Sequence, residues 1–248
     1  MKSRYIPSHM FVVCAYKESP YLESCIKSVL NQSVKTKVAI STGTPNDYIR
    51  KIAEKYQLPL WVNEKKSSIA NDWNYAISCA DTELVTLAHQ DDIYEKDYLE
   101  IVLKHITRAK HPLLFFSDYY EIRDGKKVTS NKLLKVKRIM LLPMRIKAFQ
   151  SSRWVRRRIL SLGSPICCPS VTFVTENLPE TVFENHYRAC EDWEAWEKLS
   201  KKKGQFLYST KLLMGHRIHE DSETTKQLEA DGQRFQEDYA IFQRYWPT

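Results

Sequence analysis

This sequence predicts an α/β fold: a Rossmann-like, mostly parallel sheet with helices on both faces. Three observations carry that prediction. Apolar, β-branched runs alternate with amphipathic stretches through the first half of the chain; the connections between them are short; and the fourth run, Leu84-Val85-Thr86-Leu87-Ala88, ends abruptly at His89-Gln90-Asp91-Asp92. Alternation of this kind builds βαβ units. In open sheets made from such units, ligands gather beyond the carboxyl ends of the strands.

Phe11-Val12-Val13-Cys14 reads as the first strand, and Tyr21 to Leu30 as a helix with Leu22, Cys25, Ile26, Val29 and Leu30 on one face. Lys37-Val38-Ala39-Ile40 is the second strand, and the turn Ser41-Thr42-Gly43-Thr44-Pro45-Asn46 leads into a helix from Asp47 to Tyr56. Leu58 to Val62 is a third short strand, Ile69 to Ala80 a helix and Leu84 to Ala88 the fourth strand. Tyr98, Leu99, Val102, Leu103 and Ile106 mark the helix after it. Beyond Gly125 the pattern changes. Residues 132–158 interleave cations such as Lys132, Lys135, Arg145 and Arg156 with apolar side chains such as Leu133, Ile139, Leu142 and Trp154. Such a basic amphipathic segment suits an anionic surface or membrane, or equally a solvated helical face resting on its own core. Gly163 to Val174 is a turn-rich lead into a strand that can form a pocket wall. Glu191-Asp192-Trp193-Glu194 opens a helix through Trp196 and Leu199, which ends in Lys201-Lys202-Lys203 and Gly204. Acids in the first turn, bases in the last and glycine beyond are consistent helix signals.

A chain of 248 residues suits one large α/β domain with a sizeable core. The net charge of +8 and a pI near 9.0 favour anionic partners. Six cysteines lack the paired short spacings of a zinc site, so a reduced, cytosolic compartment is expected, with the protein soluble or peripheral at the inner face of a membrane. No Gly-x-Gly-x-x-Gly follows the first strand and no Walker lysine motif is present, which argues against a dinucleotide-binding dehydrogenase and a P-loop enzyme. No nucleic-acid recognition module is recognisable either.

Two acidic pairs carry the candidate chemistry. Asp91 and Asp92, at the end of a buried strand, can hold Mg²⁺ or Mn²⁺, whose octahedron is completed by water and substrate phosphates. The same dipeptide also suits a turn, or the N-cap of the helix that follows. Glu191 and Asp192 suit catalysis or simple pairing with a helix dipole.

Taken together, these residues resemble glycosyltransferase family 2, the nucleotide-sugar enzymes with the GT-A fold. Phe11-Val12-Val13-Cys14-Ala15-Tyr16-Lys17-Glu18-Ser19-Pro20-Tyr21-Leu22, followed by Cys25-Ile26-Lys27-Ser28-Val29-Leu30-Asn31-Gln32-Ser33, is similar to that family's first strand, nucleotide-contacting turn and helix ending in Asn-Gln-Ser or Asn-Gln-Thr. His89-Gln90-Asp91-Asp92 stands at its Asp-x-Asp motif, with His89 in place of the first Asp. Glu191-Asp192 stands where the family keeps a Glu-Asp pair, and Gly215-His216-Arg217-Ile218-His219-Glu220-Asp221-Ser222 is similar to its Arg-x-His-x-x-Ser segment. The resemblance spans residues 8–222.

It implies a nucleotide-sugar-binding half over 1–125, an acceptor-side half of the same GT-A domain over 126–222, and a C-terminal helix over 223–248. It further implies an inverting, metal-dependent transfer, with Mn²⁺ or Mg²⁺, from a nucleotide sugar to a hydroxyl of a glycan or lipid-linked acceptor, in surface polysaccharide or glycolipid synthesis. A UDP-sugar is the first expectation. Asp192 is the implied general base. Ala15, Tyr16, Glu18, Thr42, Asp72, Gln90 and Asp91 are the implied nucleotide contacts; Asp91, Asp92 and His219 the metal ligands; Arg217 and Glu191 the contacts to diphosphate or acceptor. Thr42 stands where the family's Asp-Asp-Gly-Ser turn supplies a base-contacting Asp, and Asp72 is the candidate to replace it. The alternatives are a catalytically silent nucleotide-sugar-binding homologue and a basic nucleic-acid-binding protein. Peripheral membrane contact is expected through 132–158, and nucleic acid is not expected as a partner.

Overall fold

The computed structural model describes residues 5–220 and 233–246. Its first half repeats strand and helix: β1 (His9–Ala15), α1 (Leu22–Leu30), β2 (Lys37–Thr42), α2 (Asp47–Tyr56), β3 (Leu60–Val62), α3 (Ile69–Cys79) and β4 (Leu84–His89). The helices start where short polar side chains cap them. Asn46 accepts the Ile49 N–H ahead of α2, and Ser68 accepts the Asn71 N–H ahead of α3. β1 sits between β2 and β4, parallel to both, so both of its faces are covered. Met10 and Val12 therefore enter one apolar core, and Phe11 and Val13 enter another on the opposite side of the sheet.

The second half departs from that rhythm. It contains β5 (Ile93–Tyr94), α4 (Tyr98–Ile106), β6 (Pro112–Arg123), β7 (Lys126–Val128), α5 (Lys132–Met140), α6 (Arg153–Leu160), β8 (Thr172–Val174), α7 (Glu191–Ser200), β9 (Gln205–Ile218) and α8 (Gln233–Gln243). The sheet runs β3-β2-β1-β4-β8-β6-β9-β5, with β7 paired to β6. β8 is antiparallel to both β4 and β6 and splices the parallel half onto the long parallel pair β6 and β9.

The α/β class with its largely parallel sheet is as the sequence predicts. Asp91 and Asp92, however, do not cap the following helix. β5 intervenes, and Asp97 occupies the N-cap position of α4. The basic segment 132–158 is also no single helix: two 3-10 turns, Leu142–Arg145 and Lys147–Ser151, separate α5 from α6. All six cysteines are free. Within the expected C-terminal helix, α8 covers 233–243, while residues 221–232, including Asp221 and Ser222 of the late motif, lie outside the described residues.

Candidate active site

β1 and β4 end side by side, since Cys14 pairs with His89. Just past that point Gln90 clamps the two loops together. Its Oε1 accepts the Tyr16 N–H at 2.9 Å and its Nε2 donates to the Tyr16 carbonyl at 2.9 Å. Lys17 sits at φ 52°, and its N–H donates to Thr44 Oγ1, while the Thr44 N–H donates to Thr42 Oγ1 at 3.0 Å. Thr42 is thus buried and committed to the turn. Glu18 is exposed beside it.

Asp72 reaches this strand end from α3. Its carboxylate accepts from Asn63 Nδ2 at 2.7 Å and from Ser67 Oγ at 2.6 Å. Residue 43 must be glycine for this to happen, because a Cβ there would lie 2.5 Å from Asp72 Oδ1. The structure thus brings Asp72 to the end of β2, next to Thr42. His89 turns inward instead, stacking on Trp73 at 4.8 Å, and burial lowers its pKa.

The two neighbouring aspartates have unlike surroundings. Asp91 is a quarter exposed; its Oδ1 accepts from Ser19 Oγ at 2.8 Å, and its Oδ2 lies 3.2 Å from His219 Nε2. Asp92 is 1% exposed and holds the end of β9, accepting the Arg217 N–H at 2.9 Å and facing His216 Nδ1 at 3.1 Å. Burial opposes a charge on His216, yet the Asp92 carboxylate raises the His216 pKa above its ordinary value. Arg217 donates through Nε to the Asp91 carbonyl and lies over the Tyr21 ring at 4.3 Å, which fixes the loop bearing His219.

Asp91 and His219 fit a divalent cation. A partly exposed carboxylate and an imidazole with a buried Nε2 come within 3.2 Å of each other, and such a cation normally takes its remaining ligands from water and substrate phosphates. Among the described residues no group of three or more His, Cys, Asp or Glu is arranged to hold a metal alone, so substrate oxygens would be needed.

At the start of α7, no cationic side chain among the described residues is hydrogen-bonded to Asp192; its Oδ1 accepts the Trp193 N–H at 2.6 Å. Burial raises its pKa above the ordinary carboxylate range, and the Lys137 ammonium opposes that rise. Lys137 also acts on His216, which ties Asp192 electrostatically to the Asp92 cluster. Glu191 is buried beside it. Sequence reasoning missed Ser19, Asn63, Ser67, His216 and Lys137. Each acts by holding or biasing another side chain, and their hydrogen-bonding types were the only available signal.

The family model described as glycosyl transferase family 2 matches residues 10–162. The chain belongs to glycosyl transferase family 2. Its fold is the GT-A fold of a glycosyltransferase. TarS of S. aureus, residues 1–349 in complex with UDP-GlcNAc, is similar over 88% of this chain and 60% of its own, at TM-score 0.64 and 16% identity. The same TarS fragment on its own matches over 96% of this chain and 70% of its own, at TM-score 0.66 and 17% identity. The mannosyltransferase PcManGT from Pyrobaculum calidifontis, in complex with GDP-Man and Mn²⁺, matches over 97% of this chain and 73% of its own, at TM-score 0.60 and 14% identity. This chain therefore spans about 60% of the length of the first of these structures. No curated protein matches it. Among the described residues, no helix is long and apolar enough to cross a membrane.

Proposed function

We propose that this family 2 chain transfers a sugar from a nucleoside-diphosphate donor to an acceptor hydroxyl, with inversion at the anomeric carbon and with a divalent metal bound. The observation that carries the reading is the difference between two acidic sites: Asp91, a quarter exposed beside His219, and Asp192, partly buried with a raised pKa. Asp91 and His219 hold the metal, which supplies charge neutralisation on the departing diphosphate. Asp92 holds the strand end from which His219 projects. Arg217 lies beside the same group and adds positive charge toward the phosphates. Tyr16 and Gln90 present the loop over which the nucleotide lies, with Ala15 and Thr42 forming its floor and Glu18 its rim.

Asp72 recognises the base. A carboxylate aligned by two donors keeps lone pairs for an N–H, so it pairs with the imide of uracil or thymine, or bidentately with the N1–H and amino group of guanine, whereas cytosine and adenine offer it only an exocyclic amino group. A UDP-sugar is the first choice, in line with TarS bound to UDP-GlcNAc, and PcManGT with GDP-Man keeps a guanine donor in view.

Asp192 takes the acceptor proton while that oxygen attacks the anomeric carbon from the face opposite the diphosphate, which produces inversion. Glu191 lies next to it on the acceptor side. The acceptor is a glycan or lipid-linked hydroxyl, as in the assembly of surface polysaccharide or glycolipid. The test is a thermal-shift panel of UDP-, GDP- and dTDP-sugars with and without Mn²⁺, repeated on Asp72→Ala. Metal-dependent stabilisation by one donor, lost in the variant, supports the reading. Stabilisation by no nucleotide sugar contradicts it.

A further inference from the structure

From Gly125 to Thr175 the chain contains 12 Lys and Arg and no Asp or Glu. The structure sorts these cations into two sets. Arg156 is 1% exposed and spends its guanidinium on the carbonyls of Ser200, Gly204 and Lys202. Arg157 pairs with Glu197, and Arg138 donates to the carbonyls of Thr129 and Tyr119. These are internal ties. Arg156 in particular is no surface cation, so part of the segment 132–158 rests on its own core, one of the two readings the sequence left open. Lys132, Lys135, Arg145 and Lys147 are exposed, and none of them forms an ion pair among the described residues.

The same surface exposes aliphatic groups. Of its nine residues α5 buries only Leu134, leaving Leu133, Val136 and Ile139 in solvent, and Leu142 and Ile146 continue the strip through the turns. Lys135, Arg138, Ile139, Leu142 and Arg145 line an open groove there. Aliphatic side chains in water at this density mark a surface that is covered in use.

We propose that the outer face of α5 and of the two turns after it docks this protein on an anionic lipid bilayer. The aliphatic groups enter the boundary between headgroups and acyl chains, and the four cations meet lipid phosphates. Charge complementarity selects this occupant. A second copy of the chain would press two cationic faces together. A nucleic acid would match the cations and leave Leu133, Val136 and Ile139, which offer no aromatic stacking platform, in water. The inner side of α5 gives the position its use: Lys137 lies over the Tyr119 ring at 5.5 Å and acts on Asp192. A bilayer on the outer face therefore brings lipid-linked hydroxyls close to the candidate base. That benefit rests on the transfer reading, while the contact itself does not.

The test is co-sedimentation of the full chain with phosphatidylcholine vesicles, with and without phosphatidylglycerol, at low and high salt. The expected result is binding to the anionic vesicles that salt weakens. At roughly fivefold per cation, K132Q/K135Q/R145Q/K147Q lowers the partition coefficient by about 10² to 10³. I139S/L142S weakens binding at high salt too, where the cations are screened. Both variants keep nucleotide affinity and melting temperature, so a failure here is separable from a failure of the transfer reading. The proposal is overturned if the wild type ignores anionic vesicles at low salt, or if the quadruple variant binds them as before. It is also overturned if I139S/L142S changes nothing while an oligonucleotide binds equally well, or if either variant dissociates a dimer.

Discussion

The end of β4 and the start of α7 each present two adjacent acids, and their surroundings differ in kind. At the end of β4 each acid has close partners: His219 and Ser19 at Asp91, His216 and the Arg217 N–H at Asp92. At the start of α7, Asp192 is partly buried, its pKa is raised, and the opposing positive charge comes from Lys137 on α5 and Arg234 on α8. A compensated carboxylate is suited to staying charged and holding a cation. A partly buried one with a raised pKa is suited to taking and returning a proton. On the proposed reading, identical residue types take different jobs because their neighbours differ.

The largest break in this comparison comes from Asp192→Asn. The amide keeps size and hydrogen bonding but cannot accept the acceptor proton, so turnover falls by about 10² to 10⁴. Product formation by chromatography measures it, and turnover near wild type in a folded variant moves the base elsewhere.

A subtler change sharpens the electrostatic half. Lys137 favours the ionised form of Asp192, so Lys137→Met raises the Asp192 pKa further. The base must be ionised to act, and its protonated form persists to higher pH in the variant. The acidic limb of the kcat/KM profile is therefore expected to lie above the ordinary carboxylate range in the wild type and higher still in Lys137→Met. An unshifted limb separates Lys137 from the base.

Gly43→Ala tests whether Asp72 belongs to the donor site. The new Cβ would displace the Asp72 carboxylate and cost about one charged hydrogen bond, roughly 1.5–3 kcal/mol, equivalent to about tenfold or more in nucleotide affinity. Calorimetry reads it, and unchanged affinity removes Asp72 from base recognition.

The smallest effect concerns stability. The folded pKa of His216 is raised, so its pairing with Asp92 stabilises fully below the unfolded value of 6.5 and fades as pH rises through the folded one. His216→Gln is therefore expected to lose more stability at about pH 5 than at about pH 9. Denaturant unfolding at both values checks this, and an equal loss denies the pair its charge.

The first half of the chain was largely legible because local rules suffice there. β1 through β4 are buried strands joined by capped amphipathic helices, and each boundary lies within a few residues of its signal. β6 and β9 escaped because their partners are remote: β8, the short strand linking β4 to β6, is only three residues long, and β9 pairs β6 in parallel from 93 positions away at Pro112 and Gln205. Within the site, Asp91, Asp192 and Asp72 stood out as acids near motif positions. Their keepers did not. Ser19, Asn63 and Lys137 act across 72, 9 and 55 positions on Asp91, Asp72 and Asp192, and nothing local marks such a partnership.

The central claim is that binding and proton transfer reside in different acidic pairs. Isothermal titration of the donor nucleotide, with Mn²⁺ present and absent, into wild type, Asp91→Ala and Asp192→Asn tests it most directly. The expected result is that Asp91→Ala loses the metal-dependent part of the affinity, tenfold or more, at least about 1.4 kcal/mol, while Asp192→Asn binds like the wild type. Metal-dependent binding intact in a folded Asp91→Ala, or lost in Asp192→Asn, would contradict it.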